Sequence, residues 1–356
     1  MKFAILGGGV AGSVLNNVLT TDGHHLTIFD QSHFQMRSGF GFLLLPNGVE
    51  SLKQLGVWGK VEPYALPIPR VNYYDQSGDL CNQLEFQSVY SISRADFIHA
   101  LDIPSTPVIA ENIFWDDEYQ SFVSNGEIFK ANQFDGVLGS DGAHSQTRLM
   151  LNPNADATPA RTYEVMGIVK NQFLHQHLDE QLHKYAISNE GLALGLLPLK
   201  NGDVIWYLQV DGHRHGHPAR NKTALLQFVH EKVAHCTNPL VQCLLNSEME
   251  TIYVWQGRIL HETSTLAKDN VFLFGDAAHL FLPFTSQGTN SAIEDVAYFI
   301  GELRKGKTPQ EFSESYSTNR YHGVQDYIQS GIDMMNAFCN ENFAKNAGQM
   351  PISLPS

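Results

Sequence analysis

The chain is poor in cysteine, in positive charge and in long apolar runs, and each shortage excludes a class of protein. Four cysteines occur in 356 residues, Cys81, Cys236, Cys243 and Cys339, with no CxxC pair and no zinc-finger spacing. A disulfide framework is therefore not expected; reduced thiols in a cytoplasmic protein are. Lys and Arg number 23 against 37 Asp and Glu, a net charge of −14. That balance argues against a nucleic-acid partner and against stable association with anionic membranes. No apolar run approaches the roughly 20 residues of a membrane span. The opening Phe3-Ala4-Ile5-Leu6 stops at three glycines, which reads as a strand and not as a secretory segment.

Apparent motifs of other chemistries lack their context. His213, His215 and His217 alternate like metal ligands, but they sit in a Gly- and Pro-containing stretch with only Asp211 as a nearby carboxylate, so no metal site is expected. Gly301 to Thr308 formally fits a phosphate-binding loop, yet it follows a helical pattern, carries charged residues and runs into Pro309, as a helix C-terminus does. Ser286-Gln287-Gly288 resembles the end of a nucleophile elbow, but Phe284 stands where the first glycine is required. No internal repeat or low-complexity linker is evident.

What is present begins at the first residues. KFAILGGGVAG is an apolar strand followed by Gly7-x-Gly9-x-x-Gly12, with Val10 and Ala11 opening a helix. Gly7 allows a tight turn, Gly9 lets a diphosphate approach the backbone, and Gly12 permits close helix–strand packing. A second strand, HLTIFD, ends in Asp30, 21 residues beyond Gly9, where a ribose-binding acid belongs. Near the other end, Val271–Phe274 reads as a strand leading into Gly275-Asp276. An apolar loop with Pro283 follows, and Gly288-Thr289-Asn290 starts an amphipathic helix. Such a helix start offers unpaired backbone N–H groups and a positive dipole end to an anionic group. Between these lies FDGVLGSDGAHSQTR, with Asp141, Gly142, Ser145 and Arg148.

The coarse pattern is α/β. Strand 2–6, helix 10–21 and strand 25–30 start a parallel sheet. Helices are expected over Val49–Leu55 and after Ser93, the latter with Phe97, Ile98 and Leu101 on its apolar face. Asn125-Gly126 marks a hairpin. Between about 160 and 256, β-rich runs at Thr162–Val169, Lys184–Ser188, Leu192–Leu197, Val204–Val210 and Thr251–Trp255 predict an inserted antiparallel sheet with one helix near 222–236. Helices near 290–303 and 309–338 close the chain, the second with Phe312, Tyr316, Ile328, Ile332 and Met335 on its apolar stripe. The expected division is 1–159 and 257–356 as one nucleotide-binding domain and 160–256 as a substrate domain.

The three glycine- and aspartate-bearing segments, in this order, resemble the fingerprints of the class A flavoprotein monooxygenases, the para-hydroxybenzoate hydroxylase-like family. The resemblance implies a Rossmann-like FAD-binding domain with an inserted antiparallel substrate sheet. It implies FAD as cofactor, NADH or NADPH as transient co-substrate, and hydroxylation of an aromatic or polycyclic small molecule through a flavin hydroperoxide. Cofactor-binding roles fall by resemblance on Gly7, Gly9, Val10, Ala11, Gly12, Asp30, Arg37, Arg94, Asp141, Gly275, Asp276, Gly288, Thr289 and Asn290. Pro283 matches the proline flanking the site of oxygen attack, and Tyr185, Leu194, Leu196, Tyr207 and Gln209 are expected to form the pocket floor. A monomer or homodimer is expected. Two other readings stay open: a reductase of the same fold with an apolar tunnel at Phe40–Leu45, and a non-catalytic flavin-binding redox sensor.

Overall fold

The computed structural model describes residues 1–30, 40–102, 108–109, 114–116, 121–124, 126–188, 191–261 and 263–340. The N-terminal apolar run forms strand Lys2–Leu6, which sits centrally in a six-stranded sheet. Its parallel neighbours are His25–Phe29 on one side and Gly136–Gly139 on the other, and Val271–Leu273 pairs in parallel beyond the latter. Val108–Ile109 and the antiparallel Ala267–Lys268 form the edges. Strands buried on both faces read as unbroken apolar runs, which is why KFAIL and VFLF were legible. Helices Val10–Thr21 and Gln287–Arg304 bury Val14, Val18, Ile293, Val296 and Phe299 against Phe3, Ile5 and Phe272 of this sheet.

A second, seven-stranded sheet runs in the order Met249–His261, Asp156–Val169, Val204–Asp211, Leu192–Pro198, Leu182–Ser188, Arg70–Tyr74, Leu80–Glu85. All pairings are antiparallel except Leu182–Ser188 with Arg70–Tyr74. The last two strands come from the part of the chain ahead of the expected insertion. No local pattern marks that recruitment, because strand pairing is a long-range choice. One face of the sheet is covered by helices Gln172–His177, Lys222–Val233 and Pro239–Leu245. The expected α/β architecture, a Rossmann-like parallel sheet joined to an antiparallel one, is the observed one.

The parity of the second sheet corrects part of the expected pocket. Tyr185, Leu194 and Leu196 point into the helix-covered core with Trp206 and Leu208, away from the opposite face. Successive side chains alternate sides, so Tyr207 and Gln209 face one way while these three face the other. The Gly301–Thr308 stretch is a helix end, as expected: Gln287–Arg304 runs through Gly301, Lys305 and Lys307 pair with Glu302, and Thr308 caps helix Pro309–Phe338. His217 rests against the Tyr163 ring at 4.7 Å, and Asp211 is held by Arg161 and Arg214.

Candidate cofactor and substrate site

The carboxyl ends of four adjacent parallel strands carry the motifs. Lys2–Leu6 leads into Gly7–Gly9, His25–Phe29 into Asp30, Gly136–Gly139 into Ser140-Asp141, and Val271–Leu273 into Gly275-Asp276. In an open parallel sheet this is the edge where ligands bind. A cavity of about 760 Å³ lies here and reaches the uncovered face of the second sheet. Gly7, Gly9, Val10, Ala11, Asp30, Arg94, Asp141, Gly275, Asp276, Pro283, Gly288, Thr289, Tyr207 and Gln209 all line it.

Backbone geometry explains the glycines. Gly7 adopts φ +103°, and a Cβ there would lie 2.3 Å from the Ser140 carbonyl oxygen. Gly12 is outside the cavity, but a Cβ on it would stand 2.0 Å from the Gly7 carbonyl oxygen, so it lets the helix close onto the turn. Asp30 accepts a hydrogen bond from the Gly8 N–H and so ties the second strand to the turn. Arg94, on helix Arg94–Leu101 capped by Ser93, brings a guanidinium nitrogen to 3.3 Å from the position a Gly9 Cβ would take.

Two helices aim their N-termini at the cavity, and neither is closed by a side chain. Val10–Thr21 starts at Gly9 and Gln287–Arg304 at Ser286, both without a side-chain cap. Helices Arg94–Leu101, Gln146–Leu151, Gln172–His177, Lys222–Val233 and Pro239–Leu245 are each capped by Ser or Asn. The open N–H groups and positive dipole ends thus fall where an anionic ligand would be held. The buried amide nitrogen of Gln287 also has no protein partner. These features fit a large dinucleotide such as FAD.

Around this edge, carboxylates and guanidinium groups are locked together. Asp141 accepts from Ser145 Oγ at 2.5 Å and from the N–H groups of Gln146 and Thr147 at 2.9 and 3.1 Å, starting helix Gln146–Leu151. Arg148, 4% exposed, donates to the carbonyls of Asp276, Ala277 and Ala143 at 2.9, 3.2 and 2.6 Å. It joins the middle motif to the last one. Fully buried Asp295 accepts from Gly275 N–H and His279 Nε2, both at 2.8 Å, and from Arg320 Nε at 2.6 Å. Burial acts to raise its carboxyl, but His279 and Arg320 outweigh that and hold it below the ordinary range. Asp276 opens into the cavity while enclosed by protein; that enclosure pushes its carboxyl up, against the pull of His279, Arg94 and Arg148.

Four expected residues are placed differently, and one lies outside the described residues. Asn290 does not line the cavity: its amide accepts from Leu45 N–H at 2.9 Å and donates to the Leu43 and Ser286 carbonyls, clasping strand Gly41–Leu44. Tyr185, Leu194 and Leu196 are absent from the wall for the parity reason given above. Arg37 lies outside the described residues. Sequence reading missed Glu164, Lys184, Tyr253 and Trp255, all in the cavity wall. The available signal was a charged residue inside an otherwise apolar strand, since a buried charge is rare without a use.

Comparison with known proteins agrees with this geometry. The FAD binding domain family matches residues 1–330. The chain is 26% identical over 343 residues to 3-amino-4-hydroxybenzoate 2-monooxygenase of Streptomyces cremeus, covering 90% of this chain and 83% of that protein. It is 23% identical over 350 residues to kynurenine 3-monooxygenase of Christiangramia forsetii, covering 89% and 76%. The solved structure of Klebsiella pneumoniae HpxO complexed with FAD and uric acid has the same fold, with a TM-score of 0.83 at 18% identity over 98% of this chain and 93% of that one. The chain belongs to the FAD binding domain family, and within it to the class A FAD-dependent monooxygenases.

Proposed function

We propose that this enzyme hydroxylates a small aromatic compound in the far part of the cavity, with FAD lying along the strand ends and NADH or NADPH binding transiently. The observation that carries the reading is the pair of uncapped helix N-termini on one cavity that ends at a mixed polar and apolar sheet wall. The chemistry supplied by bound FAD is acceptance of hydride from the nicotinamide and activation of O2 for transfer of one oxygen atom. The protein's part is to bind, orient and exclude water. The N–H groups of Gly9, Val10 and Ala11, with Arg94, take the diphosphate, and Asp30 takes a ribose hydroxyl. Asp276 accepts from the ribityl hydroxyls. The start of helix Gln287–Arg304, at Gly288 and Thr289, would hold the bound flavin from its open N–H end and would favour negative charge there. Pro283, Leu282 and Phe281 line the cavity with apolar surface that keeps water from the reacting face.

The acidic, cysteine-poor composition supports a cytoplasmic enzyme; we propose separately that it acts as a monomer or homodimer. No helix among the described residues is long and apolar enough to cross a membrane. The test is direct. Purified protein should be yellow or become so with FAD, oxidise NADH or NADPH faster when an aromatic substrate is present, and leave one atom of labelled O2 in the product. Protein that stays colourless with excess FAD overturns the reading, and product without labelled oxygen overturns its chemistry.

A further inference from the structure

The sheet wall of the cavity holds two charged side chains of opposite sign that no ion pair joins among the described residues. Glu164 lies on Asp156–Val169 and Lys184 on Leu182–Ser188, with two strands between them. Three strand spacings of about 4.8 Å across the sheet, with an offset of two residues or about 6.6 Å along it because Met166 is the residue in the row of Lys184, set their backbones about 16 Å apart. Glu164 stands opposite Gln209, while Lys184 stands opposite Gly195, itself opposite Tyr207. All of these but Gly195 line the cavity. A Cβ on Gly195 would lie 2.0 Å from Tyr207 Cζ and 2.4 Å from its Oη. The absent side chain therefore lets the Tyr207 ring lie across the neighbouring strand toward that of Lys184.

Glu164, 7% exposed, accepts a hydrogen bond from Gln209 Nε2 at 3.0 Å on one oxygen. Among the described residues no ion pair joins it to Lys184, and no hydrogen bond reaches the Lys184 ammonium. The two sense each other's charge without meeting. Burial lifts the Glu164 carboxyl to about 7 and lowers the Lys184 ammonium to about 8. Drawing two charges out of bulk water into a cavity wall without pairing them is unfavourable, so a fold that only needed stability would use apolar residues there. Met166, Leu182, Leu197 and Ile205, also in this wall, show that apolar residues fit.

We propose that Glu164 and Lys184 are the specificity-determining residues of this cavity, selecting an aromatic ring with a hydrogen-bond donor at one end and a carboxylate or carbonyl at the other. The donor, an amine, ring N–H or phenol, meets Glu164 beside Gln209; the acceptor meets Lys184 beside Tyr207. The inference rests on the monooxygenase reading only in taking this wall as the substrate side.

Four probes separate the two ends: 4-aminobenzoate with both groups, benzoate with the acceptor, aniline with the donor, and toluene with neither. Affinities are read on the full chain by calorimetry and by perturbation of the flavin spectrum. The unmodified enzyme should bind 4-aminobenzoate about tenfold or more tightly than either single-group probe, and toluene most weakly. Lys184→Met should abolish the advantage of benzoate over toluene while keeping that of aniline. Glu164→Gln should remove the advantage of aniline while keeping that of benzoate, and Glu164→Asp and Lys184→Arg should hold the original order. Melting temperature and FAD content verify that each variant is folded. Equal affinity for the four probes, no binding of any, or unchanged discrimination in both variants overturns the proposal. Because calorimetry needs no flavin, a chain that takes up no FAD fails the monooxygenase reading while this test still runs.

Discussion

Glu164 shows how a single residue can trade stability for a site. Its carboxyl is raised from the ordinary 4.5 to about 7 by burial, with Gln209 and Lys184 pulling the other way. A folded-state value above the unfolded one favours folding while the group is protonated in both states. That contribution is complete below about pH 4.5 and is lost as pH rises through about 7. Glu164→Gln keeps the shape without the charge, so its melting temperature should equal that of the parent near pH 4.5 and exceed it above pH 7.5. The gain should be on the order of 1–3 kcal/mol; a pH-independent difference in melting curves would contradict this account. Asp276 is shifted in the same direction by its enclosure. Its carboxylate faces the cavity, and Asp276→Ala should weaken FAD by about 1.5–3 kcal/mol, the usual loss for a hydrogen bond to a charged group. The flavin-free protein should melt no lower, and full-strength FAD binding in a titration would refute the placement.

Elements were legible to the extent that their signals are local. Helix Val10–Thr21 and its glycine turn show in a spacing that lies within one span, although only Gly12 answers a neighbour in that span; Gly7 and Gly9 make room for Ser140 and Arg94. Gly12→Val would drive a branched side chain into the Gly7 carbonyl oxygen, 2.0 Å from the Cβ position. It should cost more than about 3 kcal/mol and lower the melting temperature with or without FAD; an unshifted melt would show that the helix can move away freely. Helix Gln287–Arg304 begins three residues before the expected Asn290, at a left-handed Ser286 with φ +53°. A non-glycine residue in that conformation is set by the turn Pro283–Thr285 before it, so local propensity did not announce it. The face of Leu192–Pro198 was not legible either. All seven of its residues are buried, so no polar alternation exists to say which side meets the cavity.

At the scale of the molecule, Arg148 holds the motifs in one arrangement. Its guanidinium reaches the carbonyls of residues 276 and 277, 128 and 129 positions along the chain. Arg148→Met would leave three carbonyls without their donor in or beside a buried site. The protein should lose about 3 kcal/mol of stability and bind FAD weakly, in contrast to Asp276→Ala, which acts only through the cofactor. Thermal melts of both variants with and without FAD separate the two; equal behaviour would remove the bridging role from Arg148.

By itself the sequence determined the α/β class, the parallel strands with their turns, the family and which residues stand at the strand ends. Apolar runs, glycine spacing and terminal aspartates are patterns written within a few residues of chain, even where the groups they make room for, such as Ser140 and Arg94, come from elsewhere. Tertiary structure decided the rest. It recruited Arg70–Tyr74 and Leu80–Glu85 to the second sheet and turned Tyr185, Leu194 and Leu196 away from the cavity. It also directed the Asn290 amide to Leu43 and Leu45, and brought Glu164 and Lys184 to one wall. The physical reason is shared. Strand register and sheet order are set by pairing between residues far apart in the chain, and a shift of one residue exchanges the side chains that meet the ligand for those that fill the core.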